Sequence, residues 1–402
     1  MFGTLFQYVE RRSNREVPIV RRPVIIVGAG IAGLTLARVL HVHGIAATVY
    51  EAEPSAGSRN QGGLLDIHEE DGQAAIAAAK LTPQFRAIIH HGAQAYRLAD
   101  PHGAVLLDKP DDGTGTRPEV LRGDLRQIML DSLPAGTVHW GRKVTTVRRL
   151  DHGRHEVAFV DGSAITADVL VGADGAWSKI RPLVSDATPE YVGTTFVETY
   201  LHDAERRHPA TAAAVGAGSF FALAPGKGIF AHREPDDVLH AYIAINRPAE
   251  WIAGIDFTDV ATATARIAAE FAGWAEHLGA MITDGDAMPV PRPLYALPDG
   301  HRWERVPGVT LIGDAAHLTA PNGEGANLAM LDAAQLAQAI AKHPDDTESA
   351  LAEYESAMFP RGAASASEAR QGLELFLGDR APYGLLDFFS DELGTTRTES
   401  TG

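Results

Sequence analysis

Three glycines near the start of the chain, Gly28, Gly30 and Gly33, have the Gly-x-Gly-x-x-Gly spacing of a turn that wraps a pyrophosphate. The first permits a tight turn, the second lets phosphates approach the backbone, and the third lets a helix pack closely on a strand. The amides that follow, from Ile31 and Ala32, face the phosphates together with the positive end of the helix dipole. Glu51 lies 18 residues beyond Gly33, with Ala52 beside it. Its carboxylate can accept hydrogen bonds from ribose hydroxyls and would exclude a 2′-phosphate. Such a glycine spacing alone also occurs in turns that bind no ligand, so its weight depends on the elements around it.

Those elements are present. Residues 23–27 (PVIIV) form a continuous apolar run, too short for a helix and closed by glycine, which reads as a strand buried on both faces of a parallel sheet. Leu34, Leu36, Ala37 and Leu40 have helical spacing that ends near Gly44, and residues 47–50 form a second strand. This βαβ unit points to a dinucleotide, leaving FAD and NAD both open. Further along, 123–133 is expected to be a helix, and 144–147, 155–160 and 168–171 strands, with Asp161-Gly162 a hairpin turn. The stretch 196–245 reads as β-rich, with strands at 220–223, 228–231 and 239–245. A buried strand at 309–313 is followed by helices at 327–342, 347–358 and roughly 363–378, then by a polar, frayed end at 394–402. Nucleotide-fold elements at both ends imply one cofactor domain interrupted by another.

Composition narrows the class. Lys and Arg total 35 against 52 Asp and Glu, a formal charge of −17 that disfavours a nucleic-acid partner. There is no cysteine, which excludes disulfides, thiolate metal sites and iron–sulfur clusters. No apolar run approaches the roughly 20 residues of a membrane span. Residues 1–22 read as an N-terminal extension without a secretion signal, so a cytoplasmic protein, monomeric or weakly dimeric, is expected. The pair His90-His91 and the run Arg206-Arg207-His208 read as solvated surface, and no metal site is expected.

Two later segments resolve the choice of dinucleotide by resemblance. DVLVGADGAWSKIR (168–181), with Asp174-Gly175, Ser178 and Arg181, resembles the Asp-Gly fingerprint of class A flavoprotein monooxygenases. VTLIGDAAHLTAPNGEGAN (309–327) resembles that family's second flavin motif, with Gly313-Asp314, His317, Pro321, Gly323, Gly325, Ala326 and Asn327. Asp314, just past a buried strand, can bond a ribityl hydroxyl. Gly323 and Gly325 let the backbone approach a flavin ring, and the following helix N-terminus can stabilise negative charge on it. Within the family, GGLLDIH (62–68) and LRGDLR (121–126) are similar to stretches of tetracycline-inactivating monooxygenases and related polyketide hydroxylases. That likeness implies flavin contacts from Gly63, Leu64, Asp66 and Arg122, and a structural or surface role for Arg126.

The implied fold is α/β. It has a Rossmann-like, p-hydroxybenzoate-hydroxylase-like FAD domain (23–80, 118–190 and 300–345), an inserted β-rich substrate domain (81–117 and 191–299) and C-terminal helices (346–402) bridging the two. The implied activity is hydroxylation of an aromatic, polyketide or tetracycline-like molecule through a flavin C4a-hydroperoxide, with NADPH or NADH as electron donor and O2 as co-substrate. Substrate contacts are expected from Thr199, Phe221, Phe230, His240, Tyr242, Pro321, Asn322, Gly323 and Phe376. No catalytic residue is identified, since oxygen transfer from the flavin demands no acid–base group; His317, expected to pack near the isoalloxazine edge, is the single candidate for a base. The sequence departs from the family at Ala52, where many relatives carry arginine, and adenosine contacts are then sought at Arg59. It departs again in the pocket, at Thr199 and Asn322. A flavin-dependent reductase of prenyl or polycyclic substrates, or a flavin-containing protein that sequesters a ligand, stays open. The halogenase Trp-x-Trp-x-Ile-Pro motif is absent.

Overall fold

In a computed structural model the described residues are 23–58, 62–90, 94–111 and 116–389. The N-terminal extension, Arg59, His91 and the polar C-terminal end lie outside them.

A five-stranded parallel sheet carries the glycine turn. Val24–Val27 is flanked by Ala47–Tyr50 on one side and Leu170–Gly172 on the other, with Val138–His139 and Val309–Leu311 at the edges. All four residues of Val24–Val27 are buried, as a strand covered on both faces must be. Helix Ile31–Val42 packs on Gly325–Lys342, so the first and last nucleotide-fold elements form one layer although some 280 residues separate them.

The second sheet has seven strands, in the order Val290–Ala296, Glu190–Leu201, Val238–Asn246, Lys227–Glu234, Ser219–Ala224, Tyr96–Ala99 and Val105–Lys109. Strand alternation divides its side chains. Val197, Leu201, Phe220, Ile229, Ala231, Leu239, Ala241, Ile243 and Ile245 pack under the helices Ala249–Ala253, Val260–Glu270 and Glu276–Thr283. The opposite face carries Phe196, Glu198, Tyr200, Phe221, Phe230, His232, His240 and Tyr242, which stack on or bond to one another. The three helices follow the stretch 196–245 expected to be β-rich, which itself contains two short helices, Ala204–Arg207 and Pro209–Val215. The three cover the apolar face that a single sheet cannot leave in water.

The two C-terminal helices expected from the sequence are one. Thr347–Leu377 runs for 31 residues with Pro360 in its interior. Proline removes one i→i−4 hydrogen bond and crowds the preceding turn. Here buried Tyr354, Glu355, Met358, Gly362 and Ser365 hold the helix on both sides of it. Trp303 Nε1 donates to Glu355 at 3.0 Å and Tyr354 Oη donates to the Leu311 carbonyl at 3.0 Å, which ties the N-terminal half to the parallel sheet. At the other end Phe376 packs on Phe221 and Phe230 of the seven-stranded sheet, so the helix bridges both layers.

Candidate functional site

Each glycine of the turn has the role its position predicts. A Cβ at Gly28, where φ is +108°, would lie 2.2 Å from the Ala173 carbonyl oxygen. One at Gly33 would lie 2.0 Å from the Gly28 oxygen, whereas one at Gly30 meets nothing within 4 Å. Only the middle glycine faces open space, as a phosphate-facing residue must. Glu51 braces the turn: its carboxylate accepts from the Ala29 amide at 2.6 Å and the Glu53 amide at 2.8 Å. Arg126 reaches the same turn. Buried, it donates to the carbonyls of Ala29 at 3.0 Å and Ala56 at 2.8 Å, so its role is structural and internal rather than on the surface.

The Asp-Gly and Gly-Asp segments are joined by Arg181. Its buried guanidinium donates to the Ala315 carbonyl at 2.9 Å, the Asp314 carbonyl at 3.1 Å and the Ala176 carbonyl at 2.9 Å. Burial pulls its pKa down, opposed by Asp174 and Asp314. Asp174 spends both oxygens inside its own turn, on Ser178 Oγ at 2.6 Å and the Lys179 amide at 2.6 Å. It shapes the segment rather than projecting from it, and Gly175 takes the positive φ of 76° that the turn requires. Asp314 differs: its carboxylate is exposed and has no hydrogen-bond partner among the described residues. Gly313, at φ +58°, lies against Ala32, whose Cβ would be 3.4 Å from a Cβ at 313.

His317 lies inside the fold. It is buried and bonded through Nε2 to fully buried Asp332, whose other oxygen accepts from Arg361 at 2.7 Å. Burial lowers its pKa, but Asp332 outweighs that and the net shift is upward. The Asp332 carboxylate also accepts from the Gly313 amide at 3.2 Å, so the trio braces the Gly-Asp turn. The candidacy of His317 as a catalytic base is thereby corrected: buried and bonded to Asp332, it belongs to the brace beneath the Gly-Asp turn.

The loop that follows is tied to the strand Leu64–Asp66. Buried Asn327 donates to the Asp66 carbonyl at 2.9 Å and accepts from the His68 amide at 2.9 Å. Asp66 lies beside Gly323, where a Cβ would come within 3.8 Å of its carboxylate. His68 sits between Asp66 (2.9 Å) and Glu324 (3.1 Å), and Arg117 approaches both acids. Burial lowers the His68 pKa, but the two carboxylates raise it to about 9. Glu119, opposite Asp66 in the strand pair, is pushed up to about 8 by burial and then by Asp66. Arg122 begins a helix; its side chain is exposed and has no hydrogen-bond partner among the described residues.

Gly63 touches the second sheet. A Cβ there would lie 2.7 Å from His240 Nδ1, 2.8 Å from Glu234 Oε1 and 2.8 Å from His232 Nε2. His240 is fully buried, with Nδ1 2.8 Å from Glu234 and Nε2 2.9 Å from Glu198. Glu198 also accepts from Arg292 at 2.7 Å and from Tyr200 at 3.0 Å. Phe221, Phe230, Phe196 and Tyr242 continue this face, and Phe376 closes it from the long helix. Thr199, an expected substrate contact, points the other way and donates to the Met281 carbonyl at 2.8 Å. In a strand of period two, the residues on the open face are its neighbours Glu198 and Tyr200. Asn322 accepts from the Glu324 amide at 3.0 Å and shapes the loop after the exposed Pro321.

His232, Glu234, Glu198 and Arg292 did not stand out in the sequence. The signal was His-x-Glu on one strand with His240 on the next, legible only once the register pairs His232 with His240. Among the described residues, two groups have the proximity of metal ligands, His232 with Glu234 and His240, and His68 with Asp71 and Glu324. A separate cleft of about 680 Å³ lies at the far end of the sheet, lined by Thr194, Asn246, Leu297, Ala320, Leu373 and Leu377. It includes none of the expected substrate contacts. No helix among the described residues is long and apolar enough to cross a membrane.

A glycine turn on a parallel sheet, completed by distant Gly-Asp and glycine-loop segments and opposed by an aromatic sheet face, defines a dinucleotide-dependent enzyme of flavoprotein architecture. The FAD binding domain family model matches residues 21–233 and 301–369, and the chain belongs to that family, among its FAD-dependent monooxygenases. It is 30% identical to the monooxygenase asqM of Emericella nidulans over 402 residues, covering 86% of this chain and 90% of asqM. The structure of Klebsiella pneumoniae HpxO complexed with FAD and uric acid matches with a TM-score of 0.76 at 25% identity, covering 92% of each chain. The tetracycline destructase Tet(55) matches with a TM-score of 0.72, over 92% of this chain and 95% of its own; at 19% identity that likeness is one of fold.

Proposed function

We propose that this FAD-dependent monooxygenase uses NADPH or NADH and O2 to hydroxylate an aromatic or polycyclic small molecule lying between the cofactor loops and the open face of the seven-stranded sheet. One observation carries the reading: the segments able to hold FAD form a connected surface that ends on that face. Ala32 adjoins Gly313, Asn327 holds Asp66, Arg122 adjoins Gly62, and Gly63 rests on His240.

The residues present fit the cofactor. The open backbone at Gly30, with Gly28, Gly33 and the amides of Ile31 and Ala32, would take the pyrophosphate. Glu51, beside Ala52, keeps lone pairs for a ribose, and the unpaired Asp314 carboxylate would take a ribityl hydroxyl. Gly63, Leu64, Asp66, Arg122, Pro321 and Gly323 would line the ring. Gly325, Ala326 and Asn327, at a helix N-terminus, would stabilise negative charge on it. Bound FAD supplies dioxygen activation and oxygen transfer, while the protein orients the substrate and excludes water. The aromatic group Phe196, Phe221, Phe230, Tyr242 and Phe376 suits a flat ring system. In this arrangement the cofactor unit comprises 23–80, 118–190 and 300–345, and the remaining sheet forms the substrate unit.

The test is turnover. Purified protein should be yellow, should oxidise NADPH faster when a polycyclic phenol is added, and should yield a product heavier by one oxygen atom. A product gaining only hydrogen would instead mean reduction, and protein that takes up no FAD would end the proposal.

A further inference from the structure

His232 and Glu234 alternate on Lys227–Glu234, and His240 lies directly across from His232 in the antiparallel register, so all three project from one face. One atom of each meets the others at a single place. His232 Nε2, Glu234 Oε1 and His240 Nδ1 lie within 4.8 Å of one another. A Cβ at Gly63 would lie 2.7–2.8 Å from each, so any side chain there would fill the space they surround. Gly63 has no positive φ, so the space and not the backbone conformation is what calls for glycine.

Two of the donors are prepared for a cation. His232 Nε2 is buried without a hydrogen-bond partner among the described residues, in a position where buried polar atoms are almost always paired. His240 presents its far nitrogen, Nε2, to Glu198 at 2.9 Å, and Glu198 is held in turn by Arg292 at 2.7 Å and Tyr200 at 3.0 Å. A carboxylate on the far nitrogen fixes the tautomer of a metal-ligating histidine and turns the lone pair of the near nitrogen, here Nδ1, toward the ion. Glu234 Oε1 stands between the two rings, 2.8 Å from His240 Nδ1 and 3.4 Å from His232 Nε2. A proton shared by His240 Nδ1 and Glu234 satisfies that pair but leaves His232 unserved.

The donor set indicates the kind of ion. Two imidazoles and one carboxylate suit zinc and similar first-row ions, whereas magnesium and calcium require shells of oxygen. The group of His68, Asp71 and Glu324 lacks this preparation. Both nitrogens of His68 already face carboxylates, and Arg117 brings a positive charge within 3.5 Å of Asp66 and Glu324.

We propose that His232 Nε2, Glu234 Oε1 and His240 Nδ1 form a binding site for a divalent transition-metal ion, zinc by its donor set, with Glu198 as the carboxylate behind His240. On binding, the ion takes the place of the proton between His240 Nδ1 and Glu234, which passes to solvent. Covered by Gly63, the ion rivets Lys227–Glu234 to Val238–Asn246 at the place where the cofactor-side segment rests. Its role is to fix the sheet beneath that segment, and it takes no part in chemistry on the substrate. The site does not depend on the oxygenase reading.

The test uses tag-free, FAD-loaded protein stripped with EDTA and titrated with zinc sulfate against a chromogenic zinc chelator. About one equivalent should bind with a Kd below about 1 µM, and millimolar magnesium should not displace it. His232→Gln should weaken zinc by about a hundredfold or more, and Glu198→Gln, which leaves all three ligands, by about ten- to a hundredfold. Both are read on protein that retains FAD. X-ray absorption at the zinc edge of the wild type should show two imidazoles at about 2.0–2.1 Å and a carboxylate at about 2.0–2.2 Å. Zinc at about a hundredfold excess over Kd should raise Tm by about 3 °C in the wild type and not in His232→Gln. Absence of a tight equivalent in the wild type, wild-type affinity in His232→Gln, a zinc edge without two imidazoles, or loss of the ion in His68→Gln instead would each overturn the assignment.

Discussion

Arg181→Gln tests whether the two flavin motifs are mechanically one unit. The guanidinium gives three hydrogen bonds to carbonyls, two of them 133 and 134 residues away in sequence. Glutamine is shorter and can serve at most one of the three, leaving buried carbonyls without a donor. Charge-assisted bonds contribute about 1.5–3 kcal/mol each before the desolvation of the guanidinium is offset, so a net loss of about 3–5 kcal/mol follows. With an unfolding entropy of roughly 2 cal/mol/K per residue, a chain of this size melts about 4–6 °C lower. The Asp314 backbone is one of the groups released, so FAD affinity should fall by about tenfold or more. Differential scanning calorimetry and flavin fluorescence titration read the two effects. Arg148→Gln, which breaks only an exposed pair with Glu156, serves as control and should move neither. Arg181→Gln melting within about 1 °C of wild type with unchanged FAD affinity would refute the reasoning, since ΔTm of that size corresponds to under about 1 kcal/mol.

Other substitutions probe the same scaffold. Asp332→Asn keeps the shape but removes the charge shared by His317 and Arg361; it should cost about 3 kcal/mol and lower FAD affinity, measurable by denaturant unfolding. Gly63→Ala places a methyl 2.7–2.8 Å from His240 Nδ1, Glu234 Oε1 and His232 Nε2, and should displace the Leu64–Asp66 strand, with weaker substrate binding as the readout. Asp314→Ala should impair FAD retention on a gel-filtration column without lowering the yield of folded protein. The His68 link gives a pH dependence: its folded pKa of about 9 exceeds the ordinary 6.5, so its stabilisation is complete below 6.5 and lost as pH rises through 9. Glu119, whose folded pKa of about 8 exceeds the ordinary 4.5, costs stability as pH rises from about 4.5 to 8, a window that overlaps the lower part of the His68 one. Thermal stability should therefore decline between pH 7 and 9.5, and the decline should flatten in His68→Gln/Glu119→Gln protein.

Much of the cofactor architecture could be read from residue order, because its determinants are local. Gly28, Gly30 and Gly33 depend on a strand and helix that adjoin them, and Gly313-Asp314 follows its own buried strand. The open sheet face was less legible, since its chemistry arises from pairs across strands. Glu198 and Arg292 meet although 94 residues separate them, and the placement of Thr199 depended on a one-residue phase that periodicity in a mostly apolar strand does not reveal. His317 was misjudged because its partner, Asp332, lies on the buried side of a helix 15 residues on. The break expected between the helices at 347–358 and 363–378 is absent because packing on both flanks of Pro360 sustains a continuous helix.

The central claim is that the glycine turn, the Gly-Asp segment and the open sheet face together make an oxygen-inserting flavoenzyme. The most direct measurement is mass spectrometry of the product formed from a polycyclic phenol with NADPH under isotopically heavy dioxygen. The account predicts one heavy oxygen atom in the product, and none when FAD is removed. A product without heavy oxygen, or one formed equally well by the flavin-free protein, would contradict it.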